Sequence, residues 1–307
     1  MTIPSPNVAV YTEDLVLTTA AQASLKAWVD KLPPGPTKDM LEKDLANALS
    51  AADVAAAGFD TIIVGLWHVH EGGEIYYNDF PINANTTAPL TESFSALKSS
   101  SGSTVKTVLL SFGGGNWAGH PRSVSDDDYP NMNANWSTFK PALCDLLSAS
   151  NASGVDWDYE PELTPFDSDF IIKITNEMSA HERYLVTAAP FKNQSDWETV
   201  IGGTFNPLAP FVGNNFAWWN LQGYGGADYG QWVKALETIR TGLSPDKIQA
   251  FLVPGYSLST CGYSPAGEIE TLRSEYKSLN GAFIWNYTGI KSCASEIASS
   301  IRKVFTS

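Results

Sequence analysis

Asp156, Asp158 and Glu160 occupy every second position of the run Ser153-Gly154-Val155-Asp156-Trp157-Asp158-Tyr159-Glu160. On a β-strand, side chains alternate between faces, so the three carboxyls share one face at intervals of roughly 6–7 Å. Val155, Trp157 and Tyr159 share the other. Carboxylates this close cannot all ionise cheaply where water is thinned out, so at least one holds its proton well above the usual carboxylate range. A protonated carboxylic acid beside an ionised one is the equipment for cleaving a glycosidic bond. The alternative is an exposed edge strand with an acidic outer face. The bulky opposite face and the punctuation by Gly154 and Pro161 favour a strand packed beneath helices.

The elements that must position this strand form a regular alternation. Strand patterns read Asn7–Thr12, Thr61–Trp67, Thr107–Gly115, the acidic run, Tyr184–Pro190, Phe216–Tyr224, Ile248–Pro254 and Ala282–Trp285. Helical patterns fall at about 134–150, 167–181, 195–210, 228–242, 266–279 and 292–305. The long connection 13–57 contains the turn Pro33-Pro34-Gly35-Pro36. Helical spacing from Met40 to Ala57 follows, closed by Gly58. Thr61–Trp67 is almost wholly apolar, as a parallel strand covered on both faces should be. About eight strands alternating with helices over 307 residues predict a single-domain (β/α)8 barrel spanning 1–307, with a doubly wound sheet as the runner-up. No repeat, linker or low-complexity stretch marks a second domain.

Composition narrows the function classes. Hydrophobic residues at 43% and charged residues at 17% describe a folded chain. A formal net charge of −14 argues against nucleic acid or an anionic membrane as partner. No apolar run approaches membrane-spanning length. The N-terminus, Met1-Thr2-Ile3-Pro4-Ser5-Pro6, has neither a basic nor an apolar leader region, which leaves secreted and cytoplasmic locations both open. Sequons at Asn85, Asn135, Asn151, Asn193 and Asn286 are weak markers in so Asn- and Ser-rich a chain. Three cysteines exclude a disulfide scaffold and a four-thiolate zinc site; Cys261 and Cys293 follow the last two strands and are placed to bridge at one barrel end. His68 and His70 share a strand face but lack a third ligand at metal spacing, so a substrate-lining or hydrogen-bonded loop is expected there and no metal or cofactor is called for. Trp117 and Asp126-Asp127-Asp128 read as a rim loop, without the alternating acids and distal Glu of a calcium loop.

The acidic run resembles the D-G-x-D-x-D-x-E signature of glycoside hydrolase family 18, the chitinases and endo-β-N-acetylglucosaminidases, with Ser153 in place of the first Asp. Ser111-Phe112-Gly113-Gly114 resembles the family's S-x-G-G segment, where glycines let backbone approach the acidic strand or a sugar closely. Asn220-Leu221-Gln222-Gly223-Tyr224 resembles the M-x-Y-D segment in a form nearer plant-type chitinases, with Gly225 where the Asp would stand. The stretch after the second strand, His68 to Asp79, is similar to fungal endo-β-N-acetylglucosaminidases. The resemblance implies a general acid at Glu160, and at Asp158 a residue that orients and stabilises the substrate's N-acetyl group. Asp156 would share a proton with Asp158, Tyr224 would hold the acetamido oxygen, and Trp285 would lie under the −1 sugar. Gln222, Asn220, Gly114 and Trp117 complete the expected binding surface. Trp218, Trp219 and Trp232 are either sugar platforms or core. The expected partner is a carbohydrate, chitin or chitooligosaccharide first and an N-glycan second, acted on by a monomer. A non-catalytic sugar-binding barrel is the alternative of a different class.

Overall fold

Eight segments of strand composition close into one all-parallel sheet: β1 Asn7–Thr12, β2 Thr61–Val69, β3 Thr107–Gly113, β4 Gly154–Asp158, β5 Leu185–Ala188, β6 Trp218–Leu221, β7 Leu252–Ser257 and β8 Gly281–Trp285. Each pairs with its sequence neighbours, and β1 pairs with both β2 and β8, so the sheet has no open edge apart from a short hairpin added to the end of β2. In this computed structural model residues 4–115, 125–180, 184–191, 194–209, 213–239 and 243–306 are described. The expected (β/α)8 barrel is what the chain forms.

Strand alternation sorts the core into two bodies. Ala9, Tyr11, Ile63, Leu109, Leu185, Trp218, Val253 and Phe283 fill the barrel interior. A larger body, including Val8, Val10, Val64, Leu110, Val155, Trp157 and Trp219, lies between the strands and the helices. Strands buried on both sides are what their near-continuous apolar runs require. The register sets Ser111 beside Asp156 and Gly113 beside Asp158, and on the other flank Asp156 beside Thr187. The residues that flank the two aspartates of β4, Ser111, Gly113 and Thr187, are therefore small or polar.

Several elements depart from the sequence reading. The connection 13–57 holds a helix at Thr19–Val29 that the reading left as connection, then helices Pro36–Asn47 and Ala51–Ala56. Pro36 sits in the first helical turn, where its missing N–H costs nothing. Ile248–Phe251 belongs to the helix Pro245–Phe251, and β7 begins only at Leu252; an apolar run this short fits either structure, and Ser244-Pro245 starts a helix here. Asp127 and Asp128 lie in a helix, Ser125–Ala134, rather than in a rim loop. Cys261 and Cys293 are bonded to each other, as their positions after β7 and β8 suggested. Among the described residues no helix is long and apolar enough to cross a membrane.

Candidate active site

The central strand β4 is anchored by its outward residues. Trp157 is fully buried and its ring lies 6.0 Å from that of Phe112. With that face fixed, Asp156 and Asp158 must point into the barrel. Asp156, with 0% exposure, is satisfied on all sides. Tyr11 and Ser111 hydroxyls donate to its Oδ2, each at 2.9 Å. Thr187 Oγ1 donates to Oδ1 at 2.5 Å and Asn220 Nδ2 at 3.0 Å. Burial raises its pKa above the usual carboxylate range, and these four donors offset only part of that rise. Trp218 Nε1 donates to Asn220 Oδ1 at 2.9 Å, which fixes the amide with its NH₂ toward the carboxylate.

One layer higher, Asp158 is equally buried but has a poorer shell. Gln222 Nε2 donates to its Oδ1 at 3.0 Å, to Ala189 O at 3.1 Å and, more weakly, to Glu160 Oε1 at 3.5 Å. Burial first, then the charges of Glu160 and Asp156, hold the Asp158 carboxyl well above the usual range. Glu160 lies just beyond the strand's last residue, half-buried at the C-terminal mouth, where barrels of this kind carry their reactive groups. The loop after β3 comes close because its glycines allow it. Gly113 has φ +108°, and a Cβ there would stand 2.2 Å from Asp158 O. Gly114 N donates to that same oxygen at 2.8 Å, and its Cα faces the Leu66 side chain. Of the two roles open to these glycines, the structure shows the close approach to the acidic strand.

Across the mouth stands an aromatic wall. The Trp285 ring lies 5.3 Å from Tyr11 and 6.4 Å from Tyr224. Tyr224 does not continue β6, which ends at Leu221; it sits in a short 3₁₀ turn, Gly223–Gly225, so strict alternation with Asn220 and Gln222 breaks there. It still reaches the carboxyls. Desolvation by its surroundings, then the charges of Asp158, Glu160, Asp156 and Glu13, press its hydroxyl well above its ordinary pKa, so it remains a donor. The neighbouring Gly225 has a steric reason. A Cβ there would fall 2.1 Å from the Phe191 ring, so the space an Asp side chain would need is already filled by an aromatic.

The remaining candidates separate. Asn220 and Gln222, read as substrate-binding, are buried and hydrogen-bonded to Asp156 and Asp158. Trp218 fills the barrel interior, while Trp219 and Trp232 pack together in the outer core, their rings 6.0 Å apart; all three are core. Trp117 lies outside the described residues. His68 is buried with Nδ1 2.9 Å from Asp128 Oδ2, and Asp128 Oδ1 accepts from Val69 N at 2.7 Å. That latch docks the helix Ser125–Ala134 on β2. The His70 ring stacks on Tyr76 at 3.8 Å. Ser153 accepts from Val108 N and receives Lys98 Nζ at the far end of the strand, so replacing an Asp there leaves the mouth untouched. Tyr11, Ser111, Thr187 and Phe191 belong to the site but were not read from the sequence as site residues. Strand register alone places Ser111 and Thr187 beside Asp156.

Three carboxyls thus form a column at the mouth of a closed (β/α)8 barrel, faced by aromatics. Solved structures share this fold. A family 18 chitinase from Pseudoalteromonas aurantia superposes at TM-score 0.62 with 16% identity, over 97% of this chain and 99% of its own. A fungal endo-β-N-acetylglucosaminidase of family 18 gives 0.59 and 18% over the same shares. A chitinase-like agglutinin from Robinia pseudoacacia gives 0.59 and 13%, over 85% of this chain and 97% of its own. At these identities the likeness establishes the fold. No family model and no curated protein matches the sequence.

Proposed function

We propose that this protein is a retaining glycoside hydrolase of family 18 type that cleaves β-1,4 bonds following N-acetylglucosamine. The observation that carries the reading is the stacking of Asp158, its carboxyl held above the usual range by burial and by the charge of Glu160, beneath Glu160 at the barrel mouth, with Gln222 Nε2 reaching both. Glu160 gives its proton to the leaving oxygen as the glycosidic bond breaks. The substrate's own acetamido oxygen bonds the anomeric carbon, forming an oxazolinium ion, so no enzyme nucleophile is needed. Asp158 orients the acetamido group and balances the charge that develops on it. The Tyr224 hydroxyl donates to the acetamido oxygen. Asp156 exchanges a proton with Asp158 through the water-poor barrel interior, and Trp285 offers an apolar face beneath the ring. Water then attacks the anomeric carbon and displaces the acetamido oxygen, which restores the N-acetyl group, while the water's proton passes to Glu160, with net retention. Asn220 and Gln222 act by fixing the two aspartates rather than by touching sugar.

Chitin or chitooligosaccharide is the leading substrate. Cleavage within the chitobiose core of N-glycans is the second reading, favoured by the loop after β2. That loop forms a hairpin, Ile75–Tyr77 with Phe80–Pro81, beside the mouth. The agglutinin shows that the barrel also occurs in a chitinase-like protein named for binding. Retention of Glu160 with both aspartates favours catalysis here. Product analysis by mass spectrometry tests all three: chitopentaose and a high-mannose glycoprotein are offered separately, with Glu160→Gln as blank. Cut oligosaccharide alone supports the chitinase. Glycan release that leaves one N-acetylglucosamine on protein supports the endoglycosidase. Binding without cleavage of either sinks the hydrolase.

A further inference from the structure

A second cleft of about 690 Å³ opens outside the barrel wall. It lies between the ends of β6 and β7 and the helices Tyr229–Thr238 and Ala266–Glu275. Tyr224 belongs to both places, lining this cleft while its ring faces Trp285 at the axial mouth. Tyr256 and Tyr263 supply two further aromatic surfaces, the latter 46% exposed. The charged groups are acidic: Asp228, and Glu268, which accepts a hydrogen bond from the Tyr263 hydroxyl. None of the described residues lining the cleft is Lys, Arg or His.

The outer wall of this cleft is held in place from outside. Tyr263 sits on the loop between β7 and the next helix, and Cys261 on that loop is bonded to Cys293, beyond β8. Ser264 Oγ lies 2.9 Å from Ser300 Oγ on the C-terminal helix. Two ties on either side of one exposed tyrosine hold the loop that carries it, which lowers the entropy cost of binding against it.

We infer that this off-axis cleft is an accessory sugar site, which takes a neutral pyranose unit of the same glycan whose N-acetylglucosamine occupies the axial mouth. The inference rests on the proposed hydrolase reading. Aromatic rings with a few fixed polar groups suit a ligand with apolar faces and hydroxyl edges. Two carboxylates with no lining cation repel sulfated, phosphorylated or sialylated units. Continuity through Tyr224 makes the occupant an extension of the bound chain rather than an independent molecule.

The test compares substrate lengths. Wild type, Tyr263→Ala and Tyr256→Ala are assayed on nitrophenyl chitobioside and on chitohexaose. The expected result is a rise in KM on the order of tenfold for the hexamer with unchanged kcat, and less than about twofold change on the short substrate. The short substrate also reports that each variant is folded. Equal losses on both substrates, or none on either, overturn the inference and leave the hydrolase reading standing. A wild type that neither cleaves nor binds either substrate overturns that reading, and the inference with it.

Discussion

The two ends of the barrel treat buried carboxylates in opposite ways. At the N-terminal end, Asp60 is 1% exposed and lies 3.0 Å from Lys106 Nζ and 2.8 Å from Arg302 Nη1. At the mouth, Asp156 and Asp158 are just as buried, yet among the described residues no cation pairs with either. Asp156 is compensated by four neutral donors, and among the described residues the one side-chain donor to Asp158 is shared with two other oxygens. Asp60 stands against two cations. A carboxyl with one shared donor, next to another carboxyl, is held above the usual range instead. The difference separates a buried carboxylate paired with cations from buried carboxyls left to neutral donors, the kind of environment in which perturbed groups of functional sites are found.

The largest break in this contrast should come at Glu160. Glu160→Gln keeps the shape and removes the proton donor, so kcat is expected to fall by roughly 10²–10⁴-fold. Oligosaccharide binding should persist in the same variant by calorimetry, and residual turnover within tenfold of wild type would remove Glu160 from the acid role. Asp158→Asn comes next, with a loss of about 10²–10³ in kcat as the balancing charge disappears. Its effect on stability has the opposite sign. Because the folded carboxyl titrates well above its unfolded value, the stability it carries is complete at low pH and is lost as pH rises past the unfolded value near 3.8 toward the folded one. At neutral pH, Asn avoids that loss, and a Tm higher by roughly 2–4 °C is expected, shrinking as the pH approaches 4. A lower Tm at neutral pH would mean that Asp158 is ionised and well compensated in the folded protein.

The far end should show the mirror image. Arg302→Met leaves Asp60 with Lys106 alone, which is itself 59% exposed. A loss of about 1–2 kcal/mol is expected in urea unfolding, discounted because Arg302 is itself 32% exposed. Hydrolytic kcat should stay within about twofold of wild type. A marked fall in kcat without loss of stability would link the two ends and undo the separation.

The barrel and the acidic column were legible because both obey a simple period. Alternation alone puts Asp156 and Asp158 inward, and strand–helix alternation alone suggests closure. What was not legible depends on partners far away in sequence. Asn220 and Gln222 could be placed on one face, but that this face meets Asp156 and Asp158 follows from barrel curvature. Asp128 looked like part of a polar loop because its partners, His68 and Val69 N, lie 60 and 59 residues away. Gly225 read as a missing acid, and only the Phe191 ring shows that the space is occupied. Tryptophans were ambiguous for a different reason: Trp218 and Trp219 are adjacent, and only register decides which enters the barrel.

The smallest effect tests the lower layer of the mouth itself. Thr187→Val is close to isosteric and removes one of the four donors to Asp156. Each donor favours the ionised carboxylate, so its loss lets burial raise the Asp156 pKa further. If Asp156 must be ionised to take up the Asp158 proton, the acidic limb of the kcat profile should move to higher pH. The maximal rate should fall only a few-fold, because Tyr11, Ser111 and Asn220 still hold the carboxylate in place. A pH–rate profile measured between about pH 3 and 8 separates this from mere loosening, which would lower the rate at every pH without moving the limb. An unmoved limb with an unchanged maximum would make the polar layer around Asp156 purely architectural, and the mouth would then resemble the Asp60 end more than the contrast allows.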